Sequence, residues 1–341
     1  MEKLEPKGDK QYAEKKDDLV TSWNGEELLD GKLKKSFTFI MRTSGCSWTH
    51  ESGCLMCGYH TASNPSITPE SLLKQVDTAL SKYDGEQLVK IYTSGSFLDE
   101  REVPEDIAKY ILKSFPAKKI IIESRSEYVD PNVLDSYTKI QENIEIAIGL
   151  ESTNNFILTN CINKGSTVED YWRARDLIFS KDLTMRTYLL LKPPFLTEYE
   201  AIEDLSRSIS EVSHPKNTVS INPVNVQKDS FLEKLWYRGE YRPPWLWSLI
   251  EAVSSSEING PLVISRAGLG SKRGAHNCEN CDEKIIEKID DFNLTMDLDI
   301  LKECYPLCGC NELWRNAKKY GSILQFRGPV DILSNRYAGY V

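Results

Sequence analysis

Six runs of apolar residues, each long enough for one strand and each followed by a helical pattern, organise the chain. They are Ser36–Arg42, Leu88–Thr93, Lys119–Ser124, Ile144–Leu150, Met185–Leu191 and Thr218–Asn222, with Pro261–Ser265 as a late extra strand. Near-continuous apolar runs of this length suit strands covered on both faces of a parallel sheet. Helical patterns separate them. Thr68 can cap a helix that has Pro69 at its first position, with Leu72, Leu73, Val76, Ala79, Leu80 and Tyr83 recurring on one face. Pro104 opens another helix, carrying Ile107, Ala108, Ile111 and Leu112. Pro131–Tyr137, Val168–Phe179, Glu198–Val212 and Pro244–Val253 read as further helices. Strand–helix–strand units cross over right-handed, so they wind one way. Six of them predict a partial barrel or an open α/β sheet. In both, a ligand site lies at the carboxyl ends of the strands.

The ends of the chain depart from this rhythm. Residues 1–35 are charged and weakly patterned, and read as a loosely docked N-terminal arm. Residues 36–267 form the α/β core. From about Gly268 the strands stop and cysteines become dense, so 268–341 reads as a small second domain or a metal-stapled extension.

Composition narrows the function. The net charge of −9 argues against a broad electrostatic grip on nucleic acid, which needs clustered cations to displace counterions. Short basic groups at Lys32, Lys34 and Lys35, and at Lys272 and Arg273, read as solvated surface, the alternative being a local patch in which Lys272 and Arg273 touch a phosphate backbone. No apolar run is long enough to span a bilayer, and the charged start lacks the apolar centre of a secretory signal. A cytoplasmic protein with no membrane partner is expected. Its cysteines then stay reduced, and clustered thiols in that setting bind metal more often than they form disulfides.

Eight of the nine cysteines fall in two groups, and Cys161 stands alone as a buried thiol. The first group is Cys46, Cys54 and Cys57, spaced C-x7-C-x2-C directly after the first core strand. On spacing alone, zinc with His50 or His60 as the fourth ligand fits as well as iron–sulfur. Position favours iron–sulfur. Three thiolates on one loop can hold three irons of a cubane and leave the fourth open to a substrate. A loop at the carboxyl end of a parallel strand is where such a cofactor would work.

The loop resembles the cluster loop of radical S-adenosylmethionine (SAM) enzymes, in a variant longer than the usual C-x3-C-x2-C. More of the chain agrees. RTSGCSW…GCLMCGY, SGSFLDE, ESRSEY, GLESTN…INKG, YRPPWLWS and CENCD…CYPLCGCNELW resemble the archaeal archaeosine-forming radical SAM family, from about Trp23 to about Trp314. The resemblance implies a partial (β/α)6 TIM-like barrel of the radical SAM type with a cysteine-rich C-terminal extension. It implies a [4Fe–4S] cluster on Cys46, Cys54 and Cys57, with SAM on its open iron. Met56 would touch the adenine, and Ser94, Gly95 and Ser96 would receive the SAM amino group. Glu123, Arg125 and Glu151 would contact ribose and carboxylate, for which a carboxylate and a guanidinium fork are suited. The implied reaction converts a lysine adduct of 7-deazaguanine in tRNA to archaeosine by radical C–N cleavage. A lysine-transferring partner protein and an external electron donor are implied with it.

The second group offers Cys278, Cys281, Cys304, Cys308 and Cys310, with His276 nearby. Zinc needs four ligands, so one cysteine is spare. The spacing is not that usual for an auxiliary iron–sulfur cluster, which favours zinc over a second cluster. Tyr188, Lys192 and Pro193–Pro194 either line the pocket or simply end a strand, and Asn222, Asn225 and Gln227 can hydrogen-bond a base or a lysyl tail. Trp236, Tyr237, Tyr241, Trp245 and Trp247 read as core ahead of a base-stacking platform. Two rival readings stand beside this one. A relative of the elongator catalytic subunit would need an acetyltransferase domain after the barrel, for which 341 residues are expected to leave no room. A non-catalytic zinc-binding module would not need the polar segments at successive strand ends.

Overall fold

The computed structural model describes residues 15–29, 31–305 and 308–324. One eight-stranded sheet runs through it in chain order: β1 (Thr21–Leu29), β2 (Lys32–Ile40), β3 (Leu88–Tyr92), β4 (Lys119–Ser124), β5 (Ile144–Glu151), β6 (Thr184–Leu191), β7 (Asn217–Pro223) and β8 (Leu262–Ile264). β1 and β2 form an antiparallel hairpin, and every later pair is parallel. The crossovers are α1 (Pro69–Leu80), α2 (Glu105–Ser114), α3 (Pro131–Thr138), α4 (Val168–Ser180) and α5 (Glu198–Val212), then α6 (Phe231–Tyr237) and α7 (Leu246–Ser254) before β8. Caps fix where several begin. Thr68 accepts from Ser71 N with Pro69 behind it, and Thr167 and Thr197 each close a reciprocal capping box. α8 (Asp282–Thr295), α9 (Leu298–Lys302) and α10 (Cys310–Leu324) follow the sheet.

The sheet is strongly curled. A flat sheet would set β1 and β6 about 24 Å apart, at about 4.8 Å per strand. Yet Glu27 of β1 forms ion pairs with both Lys90 of β3 and Arg186 of β6. Arg186 also bonds Glu145 at 2.8 Å, as does Lys119. Burial alone would raise the Glu27 carboxyl; Arg186 and Lys90 overcome it and hold it at about 2. This network fills the amino-terminal half of the concave face, beside a small apolar cluster of Leu88, Ile121, Ala147 and Tyr188. The alternate positions, among them Phe37, Phe39, Val89, Ile91, Ile120, Ile122, Ile146 and Ile148, face the helices in the main core. The strands are therefore apolar outward and partly charged inward, rather than apolar on both faces.

The N-terminal expectation needs correction. Thr21–Leu29, assigned to a loosely docked arm, is a full strand paired along its length with β2. Its burial is slight because it is an edge strand, so its side chains carry little apolar signal. Residues 1–14 of that arm and 325–341 of the cysteine-rich segment lie outside the described residues. The cysteine-rich segment shares the barrel's core: Ile285, Ile289, Phe292, Leu301 and Trp314 belong to the same buried cluster. Among the described residues no helix is long and apolar enough to cross a membrane.

Candidate functional site

The loop that follows β2 is stitched to three other strand ends. At its start Met41 N donates to Tyr92 O of β3 at 2.8 Å. Its middle is a helical turn, Ser47–Glu51, that begins at Cys46. The Trp48 indole N–H donates to Asn163 O at 2.7 Å, and the Asn163 amide donates to Ser52 Oγ and Gly53 O, both at 2.7 Å. Leu55 N donates to Ile162 O at 2.8 Å. These bonds tie the loop to the segment after β5. The last part is tied to the segment after β7, where Gly58 N donates to Gln227 Oε1 at 2.7 Å. A loop braced this way holds its thiols in place before any metal arrives.

The three thiols on it face charge. Burial pushes Cys54 up to about 11 and Cys57 up to about 12. Such thiols ionise only with a cation at hand, which fits metal ligation. Lys164 is buried; burial opposes its charge, but Glu151 and Cys54 outweigh that and hold it protonated. Its Nζ donates to Glu151 Oε1 at 2.8 Å, and its carbonyl accepts from Arg125 Nη1 at 3.0 Å. Arg125 lies over the Trp48 ring at 5.9 Å and within electrostatic reach of Cys46 and Cys54.

The strand-end segments converge on the same loop. Gly95 packs against it so closely that a Cβ would collide with Glu102 and lie 2.6 Å from Cys46 Cα, so only glycine fits. Glu102 accepts from Thr43 Oγ1 at 2.9 Å and from Ser96 N at 2.8 Å, bridging the cysteine loop to the Ser94–Ser96 segment. The Ser94 hydroxyl is buried without a partner among the described residues. Burial pushes the Glu102 carboxyl up to about 7 and that of Glu123 up to about 8. Glu123 accepts from Thr93 N at 3.0 Å. Glu151 sits at a bulge in β5 with a left-handed backbone, φ 75°. Met56 is half-buried on the turn closed by Cys57 N→Cys54 O at 3.1 Å. Cys46, Cys54, Cys57, Met56, Ser94, Gly95, Ser96, Glu123, Arg125 and Glu151 thus gather at the carboxyl ends of β2–β5. Glu102, Trp48, Asn163 and Lys164 were given no role from sequence, and Gln227, expected as a substrate contact, instead accepts from Gly58 N of the cysteine loop.

The distal cysteines are arranged differently. The sulfurs of Cys278, Cys281, Cys308 and Cys310 all lie within 4.8 Å of one another. Cys278–Cys281 and Cys281–Cys310 are 3.7 Å apart and Cys278–Cys308 is 3.5 Å. Four thiolates around one tetrahedral ion with bonds of about 2.3 Å would sit about 3.8 Å apart. A cubane spreads its thiolates over separate irons. The geometry fits a single metal. Two N–H groups point at its sulfurs: Trp247 Nε1 to Cys310 at 3.3 Å and Asn277 Nδ2 to Cys281 at 3.6 Å. Cys304, counted with the ligands from sequence, is not one of this set. It is buried, its thiol directed to Ile300 O at 3.8 Å, and burial pushes it up to about 11.

The aromatic run also divides. Trp247 and Tyr241 are buried, but Tyr237 is 71% exposed. Lys192 is buried with its Nζ on Glu198 at 2.6 Å, and its carbonyl accepts from Tyr241 Oη at 2.8 Å.

No family model matches the chain. It is 39% identical over 311 residues to archaeosine synthase subunit beta of Methanosarcina acetivorans, covering 87% of this chain and 89% of that one. It is 35% identical over 305 residues to archaeosine synthase subunit beta of Thermococcus kodakarensis, covering 85% and 94%. Among solved structures it is similar to Elp3 of Methanocaldococcus infernus with an N-terminal deletion, with TM-score 0.48, 19% identity and coverage of 65% and 59%. Identity above 30% along nearly the whole length of two relatives settles membership: the chain belongs to the archaeosine synthase subunit beta family.

Proposed function

We propose that this protein is a radical SAM enzyme of tRNA modification, which completes archaeosine by cleaving the lysyl chain from a lysine adduct of 7-deazaguanine. The observation that carries the reading is the likeness to archaeosine synthase subunit beta along 85–87% of the chain. Cys46, Cys54 and Cys57 would hold a [4Fe–4S] cluster, with SAM at the iron they leave open. Bound together, that pair would supply a carbon radical able to take hydrogen from the lysyl carbon beside the amidine nitrogen; that carbon would then give up one electron to the oxidised donor and add water, so that the C–N bond breaks to the free amidine base and a lysyl-derived aldehyde.

The chain's own residues bind and orient. Met56 lies against the adenine. The partnerless Ser94 hydroxyl and its neighbours Gly95 and Ser96 receive the SAM amino group. Arg125 takes the carboxylate, and Glu123 and Glu151 take ribose hydroxyls. Glu123, protonated at neutral pH, offers a donor as well as an acceptor. Lys164 fixes the position of Glu151. We assign the distal tetrathiolate to one structural zinc, from its thiol spacing. The lysine-transferring partner supplies much of the grip on tRNA, an external donor supplies the electron, and the protein works in the cytoplasm.

The test is anaerobic incubation of the reduced, iron-loaded protein with SAM and tRNA bearing the adduct, with and without the partner. We expect 5′-deoxyadenosine, loss of lysine-modified tRNA and appearance of archaeosine. SAM cleavage that leaves the tRNA unchanged would sink the substrate assignment. No SAM cleavage at all would sink the cofactor assignment.

A further inference from the structure

We infer that the chain has its own RNA-binding rim, made by α6, Lys228 and the turn at 270–273, on the side of the cluster loop that faces β7. The identity of the ligand rests on the tRNA reading above; the location rests on the structure alone.

This rim is continuous with the loop that carries the first cysteines. Leu232 N of α6 donates to Leu55 O at 3.0 Å. A Cβ on Gly58 would lie 2.5 Å from Lys228 O, which puts Lys228 directly beside the residue that follows Cys57. The turn at 270–273 is locked to the same element. Arg273 Nε donates to Val226 O at 2.8 Å, pairs with Glu233, and stacks 4.8 Å over Trp236. Arg273 is therefore structural, and it neutralises an acid that would otherwise repel phosphate.

Two features stand out at this surface. Tyr237 packs its ring 5.0 Å from Trp236 and bonds Arg273 through its hydroxyl, yet is 71% exposed, and Tyr59, two residues beyond Cys57 and bonded to Gln227, is 57% exposed. Lys228, Lys234 and Lys272 are exposed and make no ion pair among the described residues. Exposed rings interleaved with unpaired ammonium groups match what a nucleic-acid strand needs: π faces for bases and cations for phosphates. The site matters because the protein as a whole carries −9. Averaged over the molecule, that charge repels RNA. On the α2–α3 side, a hollow of about 490 Å³ is lined by Glu100, Glu105, Glu127 and Asp130, the wrong charge for phosphate. Local basicity at one side of the mouth would steer the strand toward the cofactor site and fix from which side the modified base enters.

The test compares two triple charge reversals of equal size in the full-length, iron-loaded protein. K228E/K234E/K272E alters the rim. K82E/K113E/K139E alters exposed lysines near the opposite, amino-terminal end of the strands. Binding of unmodified tRNA and of adduct-bearing tRNA is measured against salt, beside KM and kcat for the adduct. We expect the rim variant to bind at least tenfold more weakly and to raise KM in step. Its salt slope should shrink by about 3, one per lost phosphate contact. The control variant should keep most of the affinity and slope. Y237A, which changes no charge, should weaken binding about tenfold with the slope intact. Iron content and melting temperature report on folding of each variant. Equal losses in both triple variants would reduce the effect to net charge and overturn the rim. So would unchanged affinity in both the rim variant and Y237A. Loss of the partner subunit with tRNA binding intact would reassign the surface to an acidic protein. If wild type binds tRNA but never converts the adduct, the substrate reading fails while the salt slopes still decide the rim.

Discussion

The two cysteine groups share a residue type and little else. Cys278, Cys281, Cys308 and Cys310 form a complete set, with sulfurs within 4.8 Å and neutral N–H donors from Trp247 and Asn277 behind them. Cys46, Cys54 and Cys57 are three, on one loop, and their surroundings are ionic: Arg125, Lys164 and Glu151 stand close, with Glu102 and Glu123 beyond. A site that lacks a ligand and is ringed by convergent polar groups is arranged to receive something else. A site with four thiols, closed in by Trp247, Asn277 and the buried Asp282, is arranged to hold the chain together. The difference lies in ligand count and in what touches the ligands, not in the cysteine motif.

The sharpest way to break this contrast is to remove the thiols of each group. Cys46→Ala, Cys54→Ala or Cys57→Ala should abolish the brown chromophore and SAM cleavage together, while leaving the fold and any distal metal intact. Metal analysis with circular dichroism checks this. An unfolded variant would make the proximal group structural as well. Cys278→Ser with Cys281→Ser should do the reverse, losing one equivalent of metal and several kcal/mol of stability, since structural zinc sites supply about 10–16 kcal/mol of apparent binding energy to folding. Insolubility or a much lower melting temperature is expected, with proximal iron retained in the fraction that folds. A second cluster's worth of iron at that site, and no zinc, would erase the distinction.

Titration offers a milder probe. Glu123 has its carboxyl raised from 4.5 to about 8 by burial. The folded state then binds its proton more tightly than the unfolded state does, so this group's contribution to stability falls as pH rises from about 4.5 to about 8. Each unit is worth at most about 1.4 kcal/mol. Glu123→Gln in the cluster-free protein should flatten that decline, measured by denaturant melts across this range. An unchanged pH profile would mean the carboxyl ionises normally. The smallest effect belongs to Cys304→Ser: about 1 kcal/mol lost from packing, with metal content unchanged. Loss of metal would return Cys304 to the ligand set.

Much of this was legible in the sequence because the informative residues repeat or cluster. Lys119–Ser124 and Glu198–Val212 begin and end where the pattern puts them. The apolar outward positions of Leu88–Tyr92 and Ile144–Glu151 announce strands even though Lys90 and Glu145 turn inward. β1 was missed because TSWNGEELL buries only Leu29 fully and turns a carboxylate, Glu27, inward, so no apolar alternation marks it. The signal that could have found it is the Asp-Gly pair in the sequence at 30–31, a dipeptide that favours tight hairpins; Gly31 has φ +70°. Lys164 lies in the INKG segment that carries the resemblance, yet its role was not legible, for another reason. A lone lysine reads as surface until the bulge at Glu151 is known to bring a carboxylate beneath it. Which of five cysteines was spare depended on how the chain returns after α9, and spacing carries no information about that.

The four distal sulfurs bracket a stretch of chain that includes α8 and α9, which pack on each other and on the barrel core. A metal held there would grip through the sulfurs alone, whereas the cost of closing the enclosed loop grows only with the logarithm of its length. Doubling that length would cost about 0.6 kcal/mol. The turn between α8 and α9, where Thr295 and Asp297 are exposed while Met296 packs against the core, is therefore a place where added residues would cost little closure entropy.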